Sequence, residues 1–268
     1  MKTESYPSDL TDVEWVLFEP LIPPVKPGGR PRTVCILEVV NAIFYVLRSG
    51  CAWRLLPHDF PPWQTVYGYF RSWRKTGVWE QMNDALRESV RVEAGREEQP
   101  SAAILDSQSV KTTETKGERG YDSHKKVKGR KRHILVDVMG LLLCVRVHKA
   151  DTQERAGAKQ LLKRVKEKGF GRLQLIWADG GYDGKPMRDW VFELARWLFE
   201  VVKRSDDAQG FTVLPRRWVV ERTFAWLGRY RRLSKDYEQL PQSSEAMIYT
   251  AMIRLMLKRL AANPALAL

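Results

Sequence analysis

Three short stretches outline a β-sheet: Ala102-Ala-Ile-Leu-Asp106, His133-Ile-Leu-Val-Asp-Val138 and, after Met139-Gly140, Leu141-Leu-Leu-Cys-Val-Arg-Val147. The first reads as an apolar strand ending in an acid. The other two are β-rich runs around a tight turn, which predicts a hairpin with Asp137 in the turn. Asp151 with Glu154 has the spacing of a helix cap, and the helix it opens runs through Ala158, Leu161, Leu162 and Val165. Gln174-Leu-Ile-Trp-Ala-Asp179 is a second strand ending in an acid. Residues 186–197 read as helix, 198–203 as one more strand, and everything from Pro215 to Leu260 as helix. Parallel strands separated by helices imply an α/β sheet, and an antiparallel hairpin before the first helix makes that sheet mixed.

This order of elements matches the ribonuclease-H-like fold, although a fold alone licenses no function. Upstream, residues 91–101 (RVEAGREEQPS) are polar and read as a linker between a helical domain at 1–95 and the α/β domain at 96–268. In the helical part, Thr11-Asp-Val-Glu14 has capping-box spacing ahead of Trp15, Phe18 and Ile22. A Pro/Gly loop at 23–31 ends that helix, and Ile36, Val39, Val40, Ile43 and Leu47 trace the next, closed by Gly50. A third helix begins near DFPPW, with Asp59 as its cap. Trp63, Val66, Tyr67, Phe70 and Trp73 form its inner face, while Gln64, Thr65, Arg71, Arg74 and Lys75 face outward. A helix-turn-helix-like DNA reader fits this pattern. So does a small structural bundle.

Composition narrows the class. Of the 268 residues 44% are hydrophobic, with ten Trp, nine Tyr and nine Phe, which argues against disorder. No apolar run approaches the roughly 20 residues of a membrane span, and MKTESYPSDL lacks the apolar core of a signal peptide. Cys35, Cys51 and Cys144 are odd in number and have no CxxC spacing, so a reducing cytoplasm suits them. The formal net charge is +13. Residues 1–100 carry 12 basic and 13 acidic side chains, leaving 33 and 19 for residues 101–268. The later part therefore holds the whole excess, and a field of that sign attracts nucleic acid. The plain alternative is a basic enzyme that binds no polyanion.

Asp106 (ILDSQSVK) and Asp179 (IWADGGYDG) would meet at the carboxyl ends of strands, where open α/β sheets place their sites. A third acid, Glu221 (RRWVVERTFAW), lies on a helix among Arg216, Arg217 and Arg222. Clustered carboxylates repel one another, and a divalent cation with oxygen ligands resolves that repulsion. Taken singly, each acid is better explained as an ordinary cap, turn residue or salt-bridge partner. Ser107 and Ser109 lack a paired histidine, and His124, His133 and His148 have no metal-ligand spacing. The segment 123–133, SHKKVKGRKRH, holds six Lys/Arg and no acid. It reads as a sheet edge that grips the DNA backbone through Lys125, Lys126, Lys128 and Arg130, or as a solvated edge whose lysines deter aggregation.

These residues carry a family resemblance along nearly the whole chain. LTDVEWVLFEPLIPP, GRPR and AIFYVLRSGCAWRLLPHDFPPWQTVYGYFRSW are similar to the DNA-binding region of bacterial insertion-sequence transposases of the DDE type, in the IS-four/IS-five superfamily. LDSQSVK, KGRKRHILVD, ADGGYDG and VVERTFAWLGRYRRLSKDYE resemble the catalytic blocks of that superfamily. The resemblance implies Asp106, Asp179 and Glu221 as the catalytic, metal-binding triad. It also implies two divalent ions, Mg2+ with Mn2+ as substitute, and double-stranded DNA partners: terminal inverted repeats and a target. The superfamily's catalytic helix has a tyrosine and a lysine where this chain has Leu214 and Gly228, while Arg217 keeps its spacing from Glu221. Arg229, next to the lysine position, is the expected replacement in phosphate contact. Competing readings are a non-catalytic DNA-binding repressor and a nuclease that cuts without joining. The helix Ser244–Leu260 has a wide apolar face (Met247, Ile248, Ala251, Met252, Leu255, Met256), which suggests a homodimer formed on DNA or, equally, packing under its own sheet. The expected location is the cytoplasm, on the nucleoid when bound.

Overall fold

The computed structural model describes residues 4–24, 28, 32–114, 117–202 and 218–262, and its internal contacts divide the chain into two units. One unit takes residues 1–96, 229–234 and 246–268. Its first helix, α1 (Asp12–Phe18), starts with the expected capping box: the Thr11 hydroxyl accepts from the Glu14 N–H at 3.3 Å, and Glu14 Oε2 accepts from the Thr11 N–H at 2.9 Å. Two of the four orphan donors of the first turn are thereby satisfied. Helix α2 (Ile36–Ser49) buries Val39, Val40, Ile43 and Leu47 and stops at Gly50, whose φ of 75° is the left-handed conformation that glycine tolerates best. Helix α3 (Trp63–Lys75) starts one residue past Pro62 and has no side-chain cap. Asp59 is therefore not its cap, because two prolines separate it from the first turn. Its carboxylate accepts from the Tyr6 hydroxyl at 3.2 Å instead. Only Thr76 and Gly77 join α3 to α4 (Val78–Glu93), a helix not singled out from the sequence, whereas residues 50–62 join α2 to α3.

The second unit takes residues 97–228 and 235–245. It is built on β1 (Ala102–Lys111), β2 (Gly120–Asp122), β3 (Val127–Asp137), β4 (Leu142–Lys149), β5 (Leu175–Ala178) and β6 (Leu198–Val201). Strands β1, β5 and β6 run parallel, and β3 pairs antiparallel with β1 on one side. On its other side β3 pairs antiparallel with β4 and, at its start, with the short β2. The resulting order β4-β3-β1-β5-β6 is the ribonuclease-H-like mixed sheet. In the hairpin turn Asp137 Oδ1 accepts from the N–H groups of Met139 and Leu141 at 2.8 and 2.9 Å. Helices α5 (Glu154–Lys168) and α6 (Lys185–Ala195) cover the sheet, enclosing Leu105, Leu135, Leu162, Val165, Ile176 and Val191. The expected α5 cap is absent: no side chain caps the helix at Gln153.

Two expectations about the later chain need correction. The strand built from the basic segment is no edge, since β3 has neighbours on both sides. Nor is the chain one continuous helix after residue 215. Helix α7 (Trp218–Gly228) and α8 (Pro241–Ala261) are separated by a stretch that includes a bridge between Thr112 and Asp236. By their internal contacts, residues from 246 onward group with the helical unit. Met247, Ile248, Ala251, Met252 and Met256 are fully buried and Leu255 is half-buried. A helix that is apolar nearly all round needs cover on every side, so the face suggested for a second subunit is already covered by the chain itself.

Candidate active site

Strand pairing sets the two aspartates side by side. The parallel register of β1 with β5 runs from Ala102↔Leu175 to Ile104↔Trp177 and ends there. Asp106 and Asp179 each lie two residues beyond that last pair, and two-residue alternation sends both to the face that Ile104 and Trp177 share. Asp106 is not at the end of its strand, since β1 continues to Lys111 against β3 alone. Both aspartates are half-buried. Asp106 Oδ1 accepts from the Ser107 N–H at 2.7 Å, and Asp179 Oδ1 accepts from the Gly181 N–H at 2.9 Å at the head of the Gly180–Tyr182 turn. Buried Tyr182 connects them electrostatically. Burial, followed by the negative charges of Glu154, Asp106 and Asp179, raises its hydroxyl pKa well above the usual value.

Glu221 lies on α7, which packs on β1, and is exposed. Among the described residues, no three Asp, Glu, His or Cys side chains stand close enough together to hold a metal ion. The two aspartates are thus juxtaposed, while Glu221 is not gathered with them into a closed cage. Arg217, like Arg216 and Leu214, lies outside the described residues. Arg222 Cζ lies over two indoles, 4.3 Å from the Trp218 ring centroid and 4.7 Å from that of Trp226, and the guanidinium donates to the Met139 carbonyl at 3.1 Å.

Sequence reasoning passed over the best-connected acid of the site. Glu154, expected to serve the α5 cap, instead turns its carboxylate to Ser107 Oγ (2.7 Å), Lys131 Nζ (3.0 Å), His133 Nε2 (3.1 Å) and the Tyr182 hydroxyl (3.2 Å). Partial burial pushes its pKa up, but hydrogen bonds from His133, Ser107 and Lys131 outweigh that and hold it well below the carboxylate range. The signal that pointed to it was the run Lys131-Arg-His133 inside a β-branched strand. Cations and imidazoles drawn into a core demand an acid. His133 is the cross-strand register partner of Ser107, and both side chains turn to the same Glu154 oxygen, Ser107 Oγ at 2.7 Å and His133 Nε2 at 3.1 Å. Lys131 also pairs with buried Asp122 at 3.3 Å.

Comparison with known proteins fits this geometry. Residues 97–256 match the family described as "Transposase DDE domain". The chain belongs to that family. Residues 10–83 match "Putative transposase of IS4/5 family". Among curated relatives, the chain is similar to "Insertion element IS402 uncharacterized 16.2 kDa protein" of Burkholderia cepacia, 33% identical over 38% of this chain and 72% of the relative. It is also similar to "Putative transposase for insertion sequence element IS402" of the same organism, 28% identical over 41% of this chain and 54% of that relative. The protein is therefore an insertion-sequence transposase of the IS4/IS5 type.

The residues expected to touch DNA fare unequally in this transposase. Lys126 and Lys128 are exposed, and Lys125, 38% exposed, places Nζ 3.3 Å from the Ser107 carbonyl and 3.5 Å from Glu154 Oε1. Arg130 is the exception. It is 1% exposed, and its guanidinium is spent on Asp236 (3.2 Å) and on the carbonyls of Glu118, Glu238 and Gln239 (2.9, 2.7 and 2.7 Å). It is a core residue, turned inward because β3 is interior. In the helical unit of the transposase, Gln64 and Arg71 are exposed while Thr65 and Arg74 are half-buried. Arg229 is exposed and its carbonyl accepts from Arg48 at 2.8 Å. Among the described residues no helix is long and apolar enough to cross a membrane.

Proposed function

We propose that this transposase binds the terminal inverted repeats of its element, cleaves phosphodiesters there and joins the freed 3′ ends to target DNA. Asp106, Asp179 and Glu221 would hold two divalent ions, Mg2+ or Mn2+. The observation that carries the reading is the placement of Asp106 and Asp179 on one face, just past the last register pair of two parallel strands. Their oxygens suit a hard cation, and a magnesium site needs only one or two carboxylates when substrate phosphates and water complete it. When bound, the ions activate the attacking oxygen and neutralise charge at the scissile phosphate. The chain's own part is to hold both carboxylates still, through the N–H groups of Ser107 and Gly181. Lys125, Lys126 and Lys128 supply phosphate contacts, which position the duplex. The outward side chains of α3, Gln64, Thr65, Arg71 and Arg74, read bases, with Arg217 and Arg229 on phosphate.

Labelled element ends incubated with Mg2+ or Mn2+ test this. Wild-type protein should cut and join. Asp106→Asn, Asp179→Asn and Glu221→Gln should each abolish both steps while still shifting the ends in a gel. A variant that cuts at the wild-type rate removes its residue from the set. Cutting without joining would leave a nuclease, and binding alone a repressor. Joining two ends needs two sites, so a homodimer on DNA is part of the proposal. Mixing wild-type protein with Asp179→Ala should then inhibit paired-end joining beyond simple dilution.

A further inference from the structure

Beyond Ile104↔Trp177, no register pairing ties β1 to β5, although both aspartates lie beyond that point. Glu154 spans the gap. Its Oε2 accepts from Ser107 Oγ at 2.7 Å on the β1 side and from the Tyr182 hydroxyl at 3.2 Å on the β5 side. Each donor belongs to the local structure that holds one aspartate. The Ser107 N–H bonds Asp106 Oδ1. Tyr182 closes the turn whose Gly181 N–H bonds Asp179 Oδ1, and its own N–H bonds the Asp179 carbonyl at 3.1 Å.

The carboxylate is itself anchored from behind. Lys131 and His133, 5% and 0% exposed, hold it at 3.0 and 3.1 Å, and His148 backs His133 at 2.9 Å. Gly157 makes room for this stack, since a Cβ there would lie 2.4 Å from His133 Cε1. An acid fixed by a buried cation and a buried imidazole, with its remaining bonds on hydroxyls from two strands, sets how far apart those strands end. We infer that Glu154 is a positioning residue that sets the separation of Asp106 and Asp179 for a divalent cation, acting through Ser107 and Tyr182. This rests on the metal reading proposed above. A purely structural Glu154 would only neutralise Lys131 and accept from His133, and the two hydroxyls would be dispensable.

The test uses the full chain and Mn2+ alone, with free Mn2+ followed by its electron paramagnetic resonance signal. Removing both hydroxyls (Ser107→Ala with Tyr182→Phe) leaves Glu154 on Lys131 and His133, so the thermal midpoint without metal should change little. The dissociation constant for Mn2+ should rise about 10-fold or more, the usual consequence of losing groups that orient metal ligands. Glu154→Gln, which keeps the acceptor oxygen and loses the charge, should fall between wild type and the double variant. Asp179→Asn is the control. If it weakens Mn2+ binding while the double variant binds as wild type does, the clamp is overturned and the metal reading stands. If Asp179→Asn also binds as wild type does, the metal reading fails and the clamp fails with it.

Discussion

His133 and His148 lie ring on ring with centroids 4.8 Å apart, a costly place for charge. Burial lowers the pKa of both, and the His133 imidazole lowers His148 further, to about 4. A histidine whose folded pKa is depressed stays neutral in the native state while the unfolded chain takes up the proton. Its contribution to stability is complete above about 6.5 and is lost as pH falls toward about 4. The thermal midpoint should therefore drop between pH 6.5 and 4.5, before most carboxylates titrate, and His148→Gln should flatten that slope. An equally steep slope in the variant would clear His148. Arg130 makes a second test at this scale, because removing it leaves Asp236, fully buried, without its cation. Breaking such a pair costs about 3–5 kcal/mol. Denaturant unfolding should show that loss for Arg130→Ala and almost none for Lys126→Ala or Lys128→Ala, whose side chains are exposed.

Elements show where local rules and packing disagree. In an isolated helix Gly→Ala gains about 1 kcal/mol, and Gly157 sits in the first turn of α5 with no positive φ to excuse it. Packing reverses the sign. The new Cβ would fall 2.7 Å from His148 Nε2 as well as against His133, with no slack in a core at crystal density. Gly157→Ala should lower the thermal midpoint despite its helix propensity, and it should also loosen Glu154. A raised midpoint would show that the imidazoles can move aside. The turn Asp179–Tyr182 obeys its local sequence more closely. Asp179 Oδ1 accepts from the Gly181 N–H two residues on, an Asx-type contact that depends only on the adjoining backbone.

At the scale of the whole chain, the helical unit is assembled from separated segments. Glu14, 4% exposed, pairs with Arg254, and the Glu80 carboxylate accepts from the Tyr249 hydroxyl at 2.9 Å. A fragment ending at Arg96 would uncover the Phe44 ring, over which Arg254 lies, and leave Glu14 without its arginine. It should show little cooperative melting by circular dichroism, although the boundary after Arg96 reads as a domain end. A sharp two-state transition for residues 1–96 would mean that α1 to α4 suffice. The charge asymmetry belongs to this scale too. The excess of basic residues lies after residue 100, but part of it, Arg130, Lys131 and Arg132, is buried in β3. Surface potential is therefore weaker than the count suggests.

Local chemistry wrote several features into the sequence. Periodicity fixes the helices from α1 to α3, Thr11 and Glu14 cap α1, Gly50 ends α2, and Asp137 with Gly140 turns the hairpin, because each depends on neighbours within about four residues. The element order then restricts the sheet to one familiar arrangement, and the two aspartates follow from it. Other features needed partners far along the chain. Lysine and arginine in a strand read as an edge until β2 and β4 close the other side of β3. Glu154 reads as a cap until Ser107, 47 residues away, and Tyr182, 28 residues away, claim its carboxylate. The apolar surplus of α8 reads as an interface until the chain covers it. Period and capping are short-range interactions that a sequence displays. Which side of a strand is paired, and which acid answers a buried cation, is decided by contacts that exist only after folding.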